Sequence, residues 1–174
     1  MIEKLIQGSE NLKLVCNLMG IFAERRITEM NKLDQIRKKD KILAMIIRDN
    51  YTSEGVDFIT PDEFSQQVAY MHHPAGKIIE AHVHNLVNRN VLYTQEVLFI
   101  KKGKLRVDFY DDYEDYLESR ILNAGDIILL VSGGHGFRVL EEVEMIEVKQ
   151  GPYSGEMDKK KFSGINDEQV KMRE

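Results

Sequence analysis

The sequence predicts a mainly β protein, an antiparallel sandwich or barrel, and three features carry that expectation. Short alternating or continuous apolar runs recur along the chain, separated by turns that contain Gly, Pro or Asp. At least eight such runs are present and helical patterns are scarce after residue 40, a combination that belongs to sandwiches and barrels rather than to βαβ folds. The 174 residues suffice for one substantial core, so a single globular unit is expected.

The opening stretch is the exception. Leu12, Val15, Leu18, Met19 and Phe22, then Ile27, Met30, Leu33 and Ile36, recur at spacings of three and four, which predicts a helical extension over residues 1–40. It divides near Gly20 or at Arg25-Arg26, with Ser9 a candidate cap for the first helix. Its apolar face would cover either the outer sheet of the barrel or a second subunit. The single cysteine, Cys16, lies in an apolar run and reads as a small core residue; alone, it cannot form an internal disulfide.

The barrel itself is expected over residues 41–153. Residues 41–48 form a continuous apolar run of strand length, read as a buried strand. Thr60-Pro61-Asp62-Glu63 carries a capping-box pattern and predicts a short turn of helix, and residues 66–72 resume as a strand. Pro74-Ala75-Gly76 turns the chain into a strand that includes Glu80, His82 and His84. Residues 94–100 and 105–110 read as a hairpin about Lys101-Lys102-Gly103-Lys104. Residues 111–115 form an acidic, solvated tip. Residues 116–122 and 127–131 are strands joined by a turn at Ala124-Gly125-Asp126, and residues 137–140 with 144–149 are expected to form a last hairpin. Residues 154–174 make a polar tail, with residues 153–162 folding back over the barrel mouth and fraying expected from about Gly164.

The chemistry concentrates in a few positions. Side chains two apart on a strand share a face, so His82 and His84 present adjacent imidazoles. A carboxylate on the next apolar strand and His135, in the run Ser132-Gly133-Gly134-His135-Gly136, complete a nitrogen and oxygen donor set suited to a divalent first-row metal. Three of the five histidines fall in these places, whereas His72 and His73, adjacent and opposite-facing, make a poor chelate.

The spacing Gly76, five residues, His82-x-His84, then Glu96, six residues and Gly103 resembles the first signature of the cupins. The run from Gly125 to His135 is similar to their second signature. Four departures stand out: eleven residues separate His84 from Glu96, His135 arrives one residue early, Val131 stands where the family has Pro, and the Asn of the second signature does not follow His135. The resemblance implies a cupin-type jelly roll holding one divalent transition metal, Fe, Mn, Ni or Zn, on His82, His84, Glu96 and His135. The run Tyr93 to Ile100 and the ending Val148-Lys149-Gln150-Gly151-Pro152-Tyr153 look like small bacterial cupins that accompany surface-polysaccharide synthesis. A sugar or sugar nucleotide is then the expected ligand, bound by Gln95, Arg89 and Arg138, with Tyr93 or His73, or Glu80, as a base. A metal-dependent isomerase or epimerase, a non-catalytic metal-containing binding module, and an Fe(II) dioxygenase all fit this frame.

Charge narrows the partners. A net charge of −5 with interspersed lysines and acids offers no basic field for a phosphate backbone, so nucleic acid is not expected. No apolar run reaches the roughly 18 residues of a membrane span and the first residues lack a signal-peptide pattern, so a cytoplasmic location without membrane contact is the expectation. A homodimer is expected from the amphipathic N-terminal segment together with the resemblance.

Overall fold

The computed structural model describes residues 32–152 and 155–173. The helices expected within residues 1–31, and Cys16, lie outside the described residues. The last part of the expected extension is a strand instead. β1 (Leu33–Lys38) pairs antiparallel with β2 (Lys41–Ile47) across a two-residue turn, with Lys39 at φ 53. Leu33 and Ile36, three apart, suit a helix face, but only Ile36 packs into the core, beside Ala44.

β3 (Gly55–Phe58) and β4 (Ala69–His72) form a separate two-stranded sheet. The expected helical turn between them is a plain turn, closed by the Phe64 N–H donating to the Pro61 carbonyl at 3.1 Å. Thr60 is diverted from capping. Its hydroxyl accepts from the Val68 N–H at 3.1 Å and donates to Gln67 Oε1 at 3.0 Å.

The main sheet continues with β5 (Glu96–Tyr110), β6 (Tyr116–Asn123), β7 (Ile127–Leu130) and β8 (Gly134–Lys149), in the order β1-β2-β7-β5-β6 with β8 also on β5. β6 and β7 lie end to end along one edge of β5, separated by the turn at Gly125, while β8 follows the other edge throughout. The two hairpins expected at Lys101-Lys104 and within residues 137–149 do not form. Both stretches are bulged bends of one long ladder, and they face each other: Lys102 meets Glu142 at 2.7 Å and Lys104 meets Glu141 at 3.0 Å.

Those bulges curl the sheet. Residue 96 is paired with Lys149 and residue 109 with His135, positions that would be roughly 40 Å apart on a straight strand. Yet the side chains of Glu96 and His135 touch. β5 and β8 therefore double over near Gly103, giving a curled antiparallel half-barrel with two facing leaves. One leaf contributes Ile36, Ala44, Ile46, Leu98, Ile128 and Leu130 to the core, the other Leu105, Val107, Phe109 and Leu122. Their burial at a few per cent exposure or less supplies the hydrophobic driving force for the curl.

Polar groups close the sides. Asp126, on the turn before β7, accepts from Arg48 Nη1 at 3.0 Å, from the Asp49 N–H at 3.0 Å and from the Asn123 N–H at 2.9 Å. Arg48 also reaches Asp34 at 2.6 Å, and Arg120 lies 4.0 Å from the same carboxylate, linking the β1 and β6 ends of the sheet.

The tail is not frayed from Gly164. It runs along β6, with the Ser119 N–H donating to the Lys171 carbonyl at 2.9 Å and the Arg173 N–H to the Ser119 carbonyl at 3.1 Å. A short 3-10 turn at Asp167–Gln169 is capped by Asn166 on both sides of a capping box.

Candidate functional site

Glu96 opens β5 on the inner face of the first leaf, and His135 enters β8 on the inner face of the second. Their meeting is the chemical centre of the fold. His135 Nε2 lies 3.3 Å from Glu96 Oε2, and Lys149, the ladder partner of Glu96, places Nζ 3.8 Å from Oε1. The hydrogen bond from His135 holds the Glu96 carboxyl below the usual carboxylate range, against the opposing effect of burial and with help from Lys149 and Lys159. Lys149 is in turn raised, first by its hydrogen bond to Glu147 at 3.0 Å. Glu96 is thus an ionised acceptor within reach of one imidazole and one ammonium.

His82 and His84 are placed elsewhere. The expected strand around them does not form: residues 77–92 carry no strand and are exposed throughout, with Val83 and Leu86 at 89% and 104%. Among the described residues no strand pairs with this segment, so it has no ladder to join. The two imidazoles still lie close together, their rings 5.3 Å apart and edge-on, and His82 Nδ1 is 3.0 Å from the Glu80 carbonyl oxygen. The donor types suit a divalent ion, but among the described residues no group of three or more His, Cys, Asp or Glu side chains stands in a metal-holding arrangement. The structure brings Glu96 and His135 together, and His82 and His84 together, as two separate pairs.

The expected ligand-binding residues divide. Gln95 is buried, its Oε1 accepting from Ser65 Oγ at 3.1 Å and from the Gln66 N–H at 3.0 Å, so its amide fastens the 60–66 loop to the start of β5. Tyr93 is exposed with Lys41 Nζ 5.2 Å above its ring, and both line a cavity of about 620 Å³ together with Arg37, Phe64, Gln95 and Ser132. Glu96 and His135 do not line that cavity. Arg138 donates to Asp167 at 3.3 Å and secures the tail; Arg89 and Glu80 are exposed, and His73 is half-buried after β4.

Lys149 and Lys159 escaped the sequence reading. Nothing local distinguishes them from other surface lysines, and only the ladder register sets Lys149 opposite Glu96. No helix among the described residues is long and apolar enough to cross a membrane. No family model, no curated protein and no solved structure matches the chain.

Proposed function

We propose that this chain is a cupin-type metal protein acting on, or binding, a small polar molecule, with a sugar or sugar nucleotide of polysaccharide synthesis as the ligand class. The observation that carries the reading is the approach of Glu96 and His135 across the fold, 3.3 Å apart, on the inner face of a curled sheet. A carboxylate kept ionised beside an imidazole is half of the donor set that the His-x-His spacing completes. In this reading the exposed 77–92 segment lies against the open side of the sheet along β8 and carries His82 and His84 to the pair. Bound there, a divalent ion supplies Lewis-acid polarisation of a ligand oxygen. Homodimerisation is part of the proposal, and light scattering on the purified protein tests it.

A second reading rests on the same contact. Donation from His135 Nε2 to Glu96 fixes the tautomer and leaves Nδ1 as the basic nitrogen, the arrangement of an oriented general base, with Lys149 positioned to offset charge. That site moves a proton without metal.

Elemental analysis of untagged protein separates the two, with Glu96→Ala and His135→Ala beside the parent. Near one ion per chain, lost in both variants, supports the metal site. No ion after supplementation with Fe(II), Mn(II), Ni(II) and Zn(II) leaves the proton-transfer dyad as the function to pursue.

A further inference from the structure

The cavity of about 620 Å³ lies where the 61–65 turn and the 90–95 stretch meet the start of β2 and the residues after β7, and neither Glu96 nor His135 lines it. Its volume is that of a small-molecule site, for which roughly 300–1,000 Å³ is usual.

Gln95 is the most firmly fixed polar group on its wall. The residue is 5% exposed, its main-chain N–H donates to Gln150 Oε1, and its side-chain oxygen accepts from Ser65 Oγ and from the Gln66 N–H. A main-chain N–H can only donate, so the atom facing Gln66 is the oxygen and the orientation of the amide is decided. The NH2 group remains. Among the described residues it meets no acceptor, yet every fully buried side-chain nitrogen and oxygen there has a partner, so Nε2 is open to solvent. Because Gln95 lines the cavity, a rigidly held donor is offered to whatever enters. Beside it, Ser132 Oγ donates to the Ile42 carbonyl at 3.1 Å, which leaves its lone pairs to accept.

Charge and shape narrow the ligand. Around the cavity Arg37 and Lys41 are balanced by Asp40 and Glu63, and Lys41 is already committed to both oxygens of Asp112, at 2.9 and 2.7 Å. No net field therefore selects a phosphate or another ion. A purely apolar molecule would bury the Gln95 amide without an acceptor. Tyr93 adds a platform: its ring is 57% exposed, with Lys41 Nζ 5.2 Å from the centroid, and Phe64 lies half-buried on the same wall. A sugar ring meets all of these demands at once. Its hydroxyls use donors and acceptors together, and its C–H face packs on the negative face of an aromatic ring.

We propose that this cavity binds one ring of an uncharged saccharide, with the Gln95 amide donating to a sugar oxygen, Ser132 Oγ accepting from a hydroxyl and the ring stacked on Tyr93. It is a second site, independent of any metal or proton transfer at Glu96 and His135.

Saturation-transfer NMR on the full chain without added metal tests it, using glucose, galactose, cellobiose and maltose at millimolar concentration, with glucose 1-phosphate as the anionic comparison. Transfer to at least one neutral sugar is expected, strongest at the C–H protons of one ring face, and glucose 1-phosphate should bind no more tightly than glucose. Gln95→Glu keeps both accepted hydrogen bonds and removes the donor, so it should weaken binding at least about fivefold. Tyr93→Ala, at an exposed ring outside the core, should do the same even where Gln95→Glu shifts the 61–65 turn, whereas Tyr93→Phe should bind as the parent does. His135→Ala should leave the affinity unchanged, so failure of the Glu96–His135 reading does not touch this one. Absence of transfer to all four neutral sugars, tighter binding of glucose 1-phosphate, parental affinity in Tyr93→Ala, or loss of binding in His135→Ala overturns the assignment.

Discussion

His135 Nε2 lies 3.3 Å from Glu96 Oε2, although the two residues sit near opposite ends of the β5–β8 ladder. Local geometry along either strand cannot produce that contact. It exists because the bulges between Ile100 and Leu105 fold both strands over together and an apolar core fills the space between the leaves. Site and core are therefore two consequences of one bend, and what loosens the bend should loosen the pair.

Gly103 is where the bend is most exposed to substitution. Its φ is 83, and a Cβ there would collide with the Glu142 backbone carbonyl on β8. Gly103→Ala should cost at least about 2 kcal/mol, combining left-handed strain with a forced backbone shift. The urea midpoint reads the loss; an unchanged midpoint would mean that the curl is set elsewhere.

Glu96 makes the fold sensitive to acid. Its folded-state pKa is lowered, chiefly by the His135 hydrogen bond, from an ordinary value of 4.5. A depressed carboxylate contributes stability that is fully present above the ordinary value and lost as pH falls through the folded value. Glu96→Gln, which cannot ionise, should lose this contribution, so the stability gap between parent and variant should be largest near neutral pH and shrink below pH 4.5. Urea titrations of both proteins across that range check it. A gap that stays constant would show that the contact does not favour the ionised form.

Where burial alone decided the structure, the sequence was readable. The apolar runs at residues 41–47 and 127–130 became β2 and β7, where consecutive residues are buried and both faces of the strand are therefore covered, which calls for apolar side chains in an unbroken run. Glu96 and His135 were singled out together with His82 and His84 as one four-donor set, and the structure brings only the first two into contact across the fold. The failures share a cause: a local signal compatible with two long-range outcomes. Lys101-Lys102-Gly103-Lys104 reads as a turn, but a glycine with positive φ serves a bulge equally well, and the pairing of this stretch with Glu141–Glu144 in the long ladder is a contact between distant parts of the chain. His82 and His84 alternate as on a strand, yet a strand needs a partner, and among the described residues none is paired with this segment. The ordered tail depends on Asp167 meeting Arg106 and Arg138, a contact no window of sequence contains.

Asp126 should be among the most sensitive polar positions. Its side chain is almost fully buried and serves three donors, one from Arg48 and two from backbone N–H groups of the Gly125 turn and the end of β2. Asp126→Ala leaves those donors without that acceptor and should cost about 3 kcal/mol, whereas Asp126→Asn retains one carbonyl oxygen and should cost less. Equilibrium unfolding of the two variants tests the order. Equal losses would assign the effect to charge alone.

The histidines of the 77–92 segment provide the complementary case. Both residues are exposed, their rings meet edge-on and the His82 ring reaches the Glu80 carbonyl within its own segment, so His82→Ala with His84→Ala should change the stability of the metal-free chain by no more than about 0.5 kcal/mol. A ligand that binds only the folded state raises the melting temperature, by an amount that grows with the logarithm of its free concentration above Kd. If the four donors act as one site, added Ni(II) or Zn(II) should therefore raise the Tm of the parent and leave the double variant where it was. A rise of equal size in both proteins would show that the ion binds without His82 and His84, and the 77–92 stretch would then need a role other than metal capture.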